Sequence, residues 1–176
     1  MIFSETKVDD CLKIKLERRG DDRGFFARFY CAEEYRNCGY PLEVVQANDS
    51  LSAEKGTLRG MHYQIGSASE TKIIRCLKGA IYDVVIDLRP SSKTYLKWDG
   101  FHLDEENRDM VRVPRGCAHG FLTLEPDTEV FYLVDNEYSP EMERGVRWND
   151  PLFSVDWPME PQVLSEKDSS WPDFEP

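Results

Sequence analysis

No apolar run in this chain comes near the ~18 residues that a membrane-crossing helix needs. The segment from Met1 to Cys11 has no basic cluster followed by an apolar stretch, so no signal peptide is expected. No CxxC pair occurs among the five cysteines, Cys11, Cys31, Cys38, Cys76 and Cys117, and their number is odd. Without a secretory signal they read as reduced thiols, and the expected location is cytoplasmic. Cys76 and Cys117 stand among apolar residues and read as core. Positive charge is scarce: 22 Lys and Arg face 33 Asp and Glu, for a formal net charge of −11. That balance excludes a nucleic-acid partner, whose phosphates need a basic face. It also lets the few cations gather where an anionic ligand binds. Internal repeats and low-complexity segments are missing, and helical periodicity is rare.

What is present is a chain of 176 residues, long enough for one domain, 1–176, with a substantial core. Short runs alternate with period two or are wholly apolar. They are Leu12 to Leu16, Gly24 to Tyr30, Leu42 to Gln46, Arg59 to Gln64, Lys72 to Leu77, Ala80 to Leu88, Gly100 to Leu103, Met110 to Val113, Gly120 to Leu124, and Glu129 to Val134. Gly, Pro, Asp, Asn and Ser bound them, so they read as strands. Only Cys31 to Asn37 and Asp104 to Asp109 suggest helices. Many short strands without βαβ alternation predict an all-β sandwich, jelly roll or barrel. From Asp156 onward, Trp157, Pro158, Pro161, Trp171 and Pro172 mark an irregular tail that its two Trp hold against the body.

The densest chemistry lies in Arg59-Gly-Met-His-Tyr-Gln64, followed by Lys72. Arginine clamps phosphate bidentately. Histidine takes a proton near neutral pH, and lysine stabilises a developing oxyanion. On a strand, His62 and Gln64 share one face, and Met61 and Tyr63 the other. Lys72 alternates with Ile74 and Cys76, which sends a charge into a sheet interior, a costly placement unless paired or functional. His102 lies in a polar alternating run and reads as exposed. In Pro114-Arg-Gly-Cys-Ala-His-Gly-Phe121, His119 leaves a Pro-Gly turn in a PxGxxH pattern, the second half of a cupin metal signature. The first half is incomplete, because His62-Tyr-Gln64 replaces HxH and Glu70 does not restore the set. Two imidazoles and an amide make a poor divalent-metal site, so no metal is expected. Tyr132 shares a face with Val130 and Val134, as a core phenol or as a proton donor in a cavity. Asp83 and Asp87 share a face with Val85. Asp83 either orients a histidine or pairs with an arginine such as Arg89, the second being slightly favoured. Asp168 looks like part of a polar turn.

In order and spacing, the chain from about Asp21 to Asp168 resembles the dTDP-4-dehydrorhamnose 3,5-epimerases and related NDP-4-keto-sugar epimerases. The matching pieces are Asp22-Arg-Gly-Phe25, Gln46-Ala-Asn-Asp-Ser50, Leu58-Arg-Gly-Met-His-Tyr-Gln64, Lys72, Asp83-Val-Val-Ile-Asp-Leu-Arg89, the Pro114 to Phe121 segment, Tyr138-Ser-Pro140 and Trp148-Asn-Asp-Pro151. The resemblance implies a cupin-type jelly roll and a homodimer in which residues of about 1–30 form an exchanging arm. It implies no metal and no redox cofactor. It makes His62 the general base held by Asp168, Tyr132 the acid on the opposite face, and Lys72 the stabiliser of the enolate oxygen at C4. Arg59, His119 and Lys167 approach the diphosphate or sugar, and Gln46, Asn48, Tyr138 and Glu143 complete the pocket. Arg23 and Phe26 reach the neighbouring subunit's nucleotide. One departure is Arg28, where the family usually carries Glu. A carboxylate accepts from thymine N3–H, whereas a guanidinium only donates, which suits cytosine. The implied substrate is a dTDP- or CDP-linked 4-keto-6-deoxyhexose, inverted at C3, C5 or both in deoxysugar biosynthesis. The rival readings are a 3,4-ketoisomerase and a non-catalytic sugar-nucleotide-binding cupin. The donor set generates a first prediction: EDTA leaves turnover intact. Loss of activity restored by one specific divalent ion would place the protein among metal-dependent cupins.

Overall fold

A computed structural model describes all residues, Met1–Pro176. In chain order the strands are β1 (Ile2–Glu5), β2 (Leu12–Lys15), β3 (Arg19–Asp21), β4 (Gly24–Phe26), β5 (Gln46–Ser52), β6 (Leu58–Gln64), β7 (Lys72–Lys78), β8 (Ala80–Asp87), β9 (Trp98–Asp104), β10 (Met110–Val113), β11 (Cys117–Thr123), β12 (Thr128–Val134) and β13 (Glu143–Gly145). Two short helices, α1 (Ala32–Asn37) and α2 (Glu166–Ser169), complete the regular structure. One sheet runs β1-β2-β10-β7-β12-β5, and a second runs β13-β6-β11-β8-β9. Neighbouring strands are antiparallel and, apart from β1–β2 and β8–β9, far apart in sequence, as in a jelly roll. The all-β expectation holds.

Alternation explains the layers. Ile74, Cys76, Val111, Val113 and Val130 of the six-stranded sheet face Ile81, Val85, Phe101, Leu103, Cys117 and Phe121 of the other. The opposite face of the six-stranded sheet buries Ile14, Ile73, Met110 and Leu133 under Tyr35 of α1 and Leu42. The outer face of the five-stranded sheet buries Met61, Val84, Ile86 and Ala118 under Val146 and Phe153. Burial pushes the Cys11 and Cys76 thiols up to about 12, so they stay protonated and inert.

Several boundaries depart from the sequence reading. Leu42 to Gln46 forms no strand; the strand is the polar Gln46–Ser52, an edge whose whole length pairs with β12. Its Asn, Asp and Ser resemble a loop because only one side of an edge meets apolar neighbours. Asp104 to Asp109 is a turn rather than a helix, closed by the Asp104 carboxylate on the Asn107 N–H at 2.6 Å. Residues 2–15 add two strands, β1 and β2, to the six-stranded sheet. The hairpin β3–β4 stands exposed beyond them.

One irregularity places the site. His62 of β6 lies opposite His119 of β11, and Arg59 lies opposite Phe121. Three steps along β6 therefore match two along β11, which defines a β-bulge. Without it, Arg59 and His62 would point to opposite faces; with it, both face the same cavity. Glycine permits the bulge. Gly60 has φ +128°, and a Cβ there would lie 2.5 Å from Gly120 Cα and 2.7 Å from the His119 carbonyl oxygen. A Cβ on Gly120 would lie 2.8 Å from the Arg59 carbonyl oxygen. Gly60→Ala should destabilise the protein by about 1–3 kcal/mol or more, as overpacking against rigid backbone does. Urea denaturation measures this, and an unchanged midpoint would show that the strands separate at no cost.

Candidate active site

The two sheets and the C-terminal segment converge on a cleft. A cavity of about 510 Å³ is lined by Arg59, His62 and His119 from the five-stranded sheet, Lys72 and Tyr132 from the six-stranded sheet, and Lys167 and Asp168 from the tail. A second cavity of about 470 Å³ adds Gln46, Asn48, Tyr138 and Glu143. His62, Lys72 and Tyr132 line both. Most of the expected residues therefore meet in one place, with three cations, Arg59, Lys72 and Lys167, among them.

Asp168 Oδ1 lies 2.5 Å from His62 Nε2, and its Oδ2 accepts from the Gly60 N–H at 3.4 Å. Ser165 caps α2 by accepting from the Asp168 N–H at 3.0 Å. Burial works to raise the Asp168 carboxyl, but the His62 bond and the Ser165 and Gly60 contacts outweigh it and hold it below the ordinary carboxylate range. A carboxylate that accepts from Nε2–H leaves the lone pair on Nδ1, so the imidazole can act as a base there.

Lys72 Nζ pairs with Glu70 Oε1 at 2.8 Å, with both side chains largely buried. Glu70 Oε2 also accepts from Gln64 Nε2 at 2.8 Å, and Gln64 Oε1 accepts from the Ser139 N–H at 2.7 Å. The amide that interrupts the cupin pattern thus ties the Lys72 pair to the loop carrying Tyr138. Tyr132 faces the cavity from β12. Burial raises its phenol, Glu70's charge adds to this and Arg59 opposes it, so the hydroxyl remains a donor throughout the neutral range.

His119 Nε2 lies 2.6 Å from Asp83 Oδ1. Asp83 therefore orients a histidine, and the arginine pairing slightly favoured for it belongs to Asp87, which contacts Arg89 Nε at 2.8 Å. Glu143 accepts from the Tyr138 hydroxyl at 2.7 Å and pairs with Lys167 at 2.5 Å. That bond pushes the Tyr138 phenol up to about 12. Arg59 differs from the other cavity cations in bonding only neutral groups, the Ser52 hydroxyl at 3.0 Å and the Leu51 carbonyl at 3.1 Å. Its charge is free for an anionic ligand.

Arg23, Phe26 and Arg28 line neither cavity of their own chain. Arg23 pairs with Asp21, Phe26 is 67% exposed on the hairpin, and Arg28 Nη1 contacts Glu34 at 3.1 Å. Glu70 as the partner of Lys72 is what sequence reasoning missed, and His119 as the partner of Asp83 is what it left open. Glu70 carried a signal, since it lies two residues before Lys72 on a strand-like alternation. The Asp83–His119 pair depends on strand neighbours 36 positions apart.

A jelly roll holding a carboxylate-paired imidazole, a buried ammonium and a phenol around one cavity defines an isomerase that works by moving protons. A family model described as dTDP-4-dehydrorhamnose 3,5-epimerase matches residues 5–176. The enzyme of that name from Sinorhizobium fredii is 42% identical over 173 residues, covering 98% of this chain and 89% of the relative. The Bacillus anthracis structure of an enzyme with the same name, with TDP and PPi bound, superposes with a TM-score of 0.95 at 42% identity, covering 98% of this chain and 99% of the other. A Legionella pneumophila dTDP-6-deoxy-D-glucose-3,5-epimerase, in complex with dTDP-4-keto-L-rhamnose, gives 0.89 at 33% identity over 99% of both chains. The chain belongs to the dTDP-4-dehydrorhamnose 3,5-epimerase family.

Asp168→Asn tests the paired imidazole. An amide presents N–H to Nε2 and favours the wrong tautomer, so kcat should fall by about 10²- to 10⁴-fold with KM little changed. The stability carried by Asp168 also follows from its depressed carboxyl. That contribution is complete above the unfolded value of about 3.9 and is lost as pH falls through the lower folded value. The variant should therefore lose stability at neutral pH and converge with the parent in acid. Equal neutral melting temperatures, or an unchanged kcat, would remove Asp168 from this role.

Proposed function

We propose that this protein inverts C5, C3 or both in a nucleotide-diphosphate-linked 4-keto-6-deoxyhexose, with the dTDP-linked sugar as substrate. The observation that carries the reading is the placement of His62 and Tyr132 on opposing sheets of one cavity, with Lys72 lining it from the strand beside Tyr132. His62 Nδ1 removes the proton next to the ketone, and Asp168 stabilises the imidazolium that forms. The Lys72 ammonium stabilises the enolate oxygen at C4. The Tyr132 hydroxyl returns a proton from the other side, and the centre inverts. The substrate already carries its ketone, so the scheme calls on no redox cofactor and no metal.

Arg59, with no carboxylate partner, and Lys167 and His119 beside it suit the diphosphate. Tyr138, 54% exposed at the mouth, offers a ring for the base, with Gln46, Asn48 and Glu143 around it. The exposed hairpin bearing Arg23 and Phe26 supports a homodimer in which each arm reaches the partner's nucleotide. The nucleotides held by the B. anthracis and L. pneumophila relatives support a thymidine carrier. Arg28 keeps CDP as the second carrier to test, although its pairing with Glu34 satisfies the guanidinium without a base.

NMR of dTDP- and CDP-linked 4-keto-6-deoxyhexoses incubated with the enzyme in D2O tests these assignments together. Deuterium should enter C3, C5 or both of the dTDP-linked sugar. His62→Ala should slow that exchange by about 10²- to 10⁴-fold. Tyr132→Phe should keep exchange at the abstracted position while losing net inversion. Exchange at parental rates in His62→Ala, or full inversion in Tyr132→Phe, would sink the respective role. Faster exchange in the CDP-linked sugar would move the carrier assignment to cytidine.

A further inference from the structure

The residue that pairs with His62 across β13 is Gly145, so this neighbour contributes no side chain. The indole of Trp171 occupies the place. A Cβ on Gly145 would lie 2.2 Å from the indole Cε2 and 2.3 Å from Cδ2. The indole meets the His62 ring edge to face, with centroids 6.2 Å apart and planes at 69°. Lys167 Nζ lies 5.8 Å from the centre of the same indole.

The chain on either side explains what the indole does. Helix α2 has four residues, too few to hold a helix by itself. Its placement, and with it that of Asp168, depends on what packs around it. Beyond Trp171 the chain is tied down: the Arg147 N–H donates to the Pro172 carbonyl at 3.3 Å, Arg147 pairs with Asp173 at 2.6 Å, and the Phe174 N–H donates to Asp150 at 2.6 Å. Trp171 stands between that anchored end and the helix that carries Asp168 and Lys167. It lines neither cavity of the cleft.

The geometry points to Trp171 as a positioning residue for the base: its indole, seated in the space that Gly145 leaves open, sets the His62 imidazole and holds α2 so that Asp168 meets Nε2. The inference rests on His62 being the base. An alanine at 145 should act like loss of the indole, because its methyl group would claim the same space.

Steady-state kinetics of Trp171→Ala, Trp171→Phe, Gly145→Ala and Trp171→Ala/Gly145→Ala tests this, with melting curves confirming folding. Trp171→Ala should lower kcat by about 10²-fold, the cost of a misplaced group, with KM little changed. Trp171→Phe should recover most of the rate, and Gly145→Ala should lose about as much as Trp171→Ala. In the Trp171→Ala background, Gly145→Ala should cost nothing more. If Trp171→Ala does not fold, Gly145→Ala against Trp171→Phe carries the comparison. Losses that multiply, an unchanged kcat, or a rise in KM alone would overturn the role. The His62 ring resonances, read by NMR in the same proteins, need no turnover. They should shift in Trp171→Ala and Gly145→Ala and return in Trp171→Phe. If the parent incorporates no deuterium into any 4-keto sugar, the epimerase reading fails by itself; unshifted His62 resonances overturn the positioning role by themselves.

Discussion

The close approach of β6 to β11 at Gly60 and Gly120 is the constraint on which the site depends. Neither strand has a side chain at the contact, and either Cβ would strike backbone of the other strand. The bulge that fits there turns Arg59 and His62 to the same side. It also leaves the Gly60 N–H free to meet Asp168, which holds His62 with its other oxygen. One backbone irregularity thus sets an anion-binding guanidinium, a base and the base's carboxylate in a common frame. Strand geometry alone would have divided them between two faces.

The electrostatics follow the same economy. In a chain of net charge −11, the basic side chains of the cleft, lysines and imidazoles alike, are mostly matched one to one with carboxylates. Lys72 has Glu70, Lys167 has Glu143, and the two imidazoles have Asp168 and Asp83. Such pairing compensates the cost of taking a charge partly out of water. It also fixes which imidazole nitrogen is spent on structure and which is left for chemistry. Arg59 stands apart because it contacts only a hydroxyl and a carbonyl. The cleft thus holds one uncommitted positive charge beside a set of committed ones, a distribution suited to gripping a diphosphate while protons move elsewhere.

The C-terminal segment, irregular in sequence, is part of the machinery. It adds a bridge from Thr57 to Val163, caps α2 with Ser165, and delivers Lys167 and Asp168 to a cleft otherwise built from strands. Its aromatic residues do the anchoring: Trp157 packs near Tyr82, Phe174 near Phe153, and Trp171 against Gly145 and His62.

The sequence by itself determined the all-β class, most strand cores and the inward faces. Period-two alternation places Lys72 with Ile74 and Cys76, or Tyr132 with Val130, on one side wherever the strand is regular. It also carried the family resemblance, through motifs whose order and spacing survive translation into any fold. Asp168 shows the limit: as local sequence it is a polar turn, and only the resemblance raised it to the partner of His62. Asp83 was left between two partners because both lie on its face, and only strand neighbours distinguish His119 from Arg89. The polar edge strand Gln46–Ser52 was illegible because its neighbours, rather than its own residues, make it a strand. Tertiary structure decided the rest: the bulge, the pairing of each cation and the seat of Trp171 on a glycine. Apart from the local pair Glu70–Lys72, each joins residues distant in the chain through shape and hydrogen bonding, which leave no periodic trace in sequence.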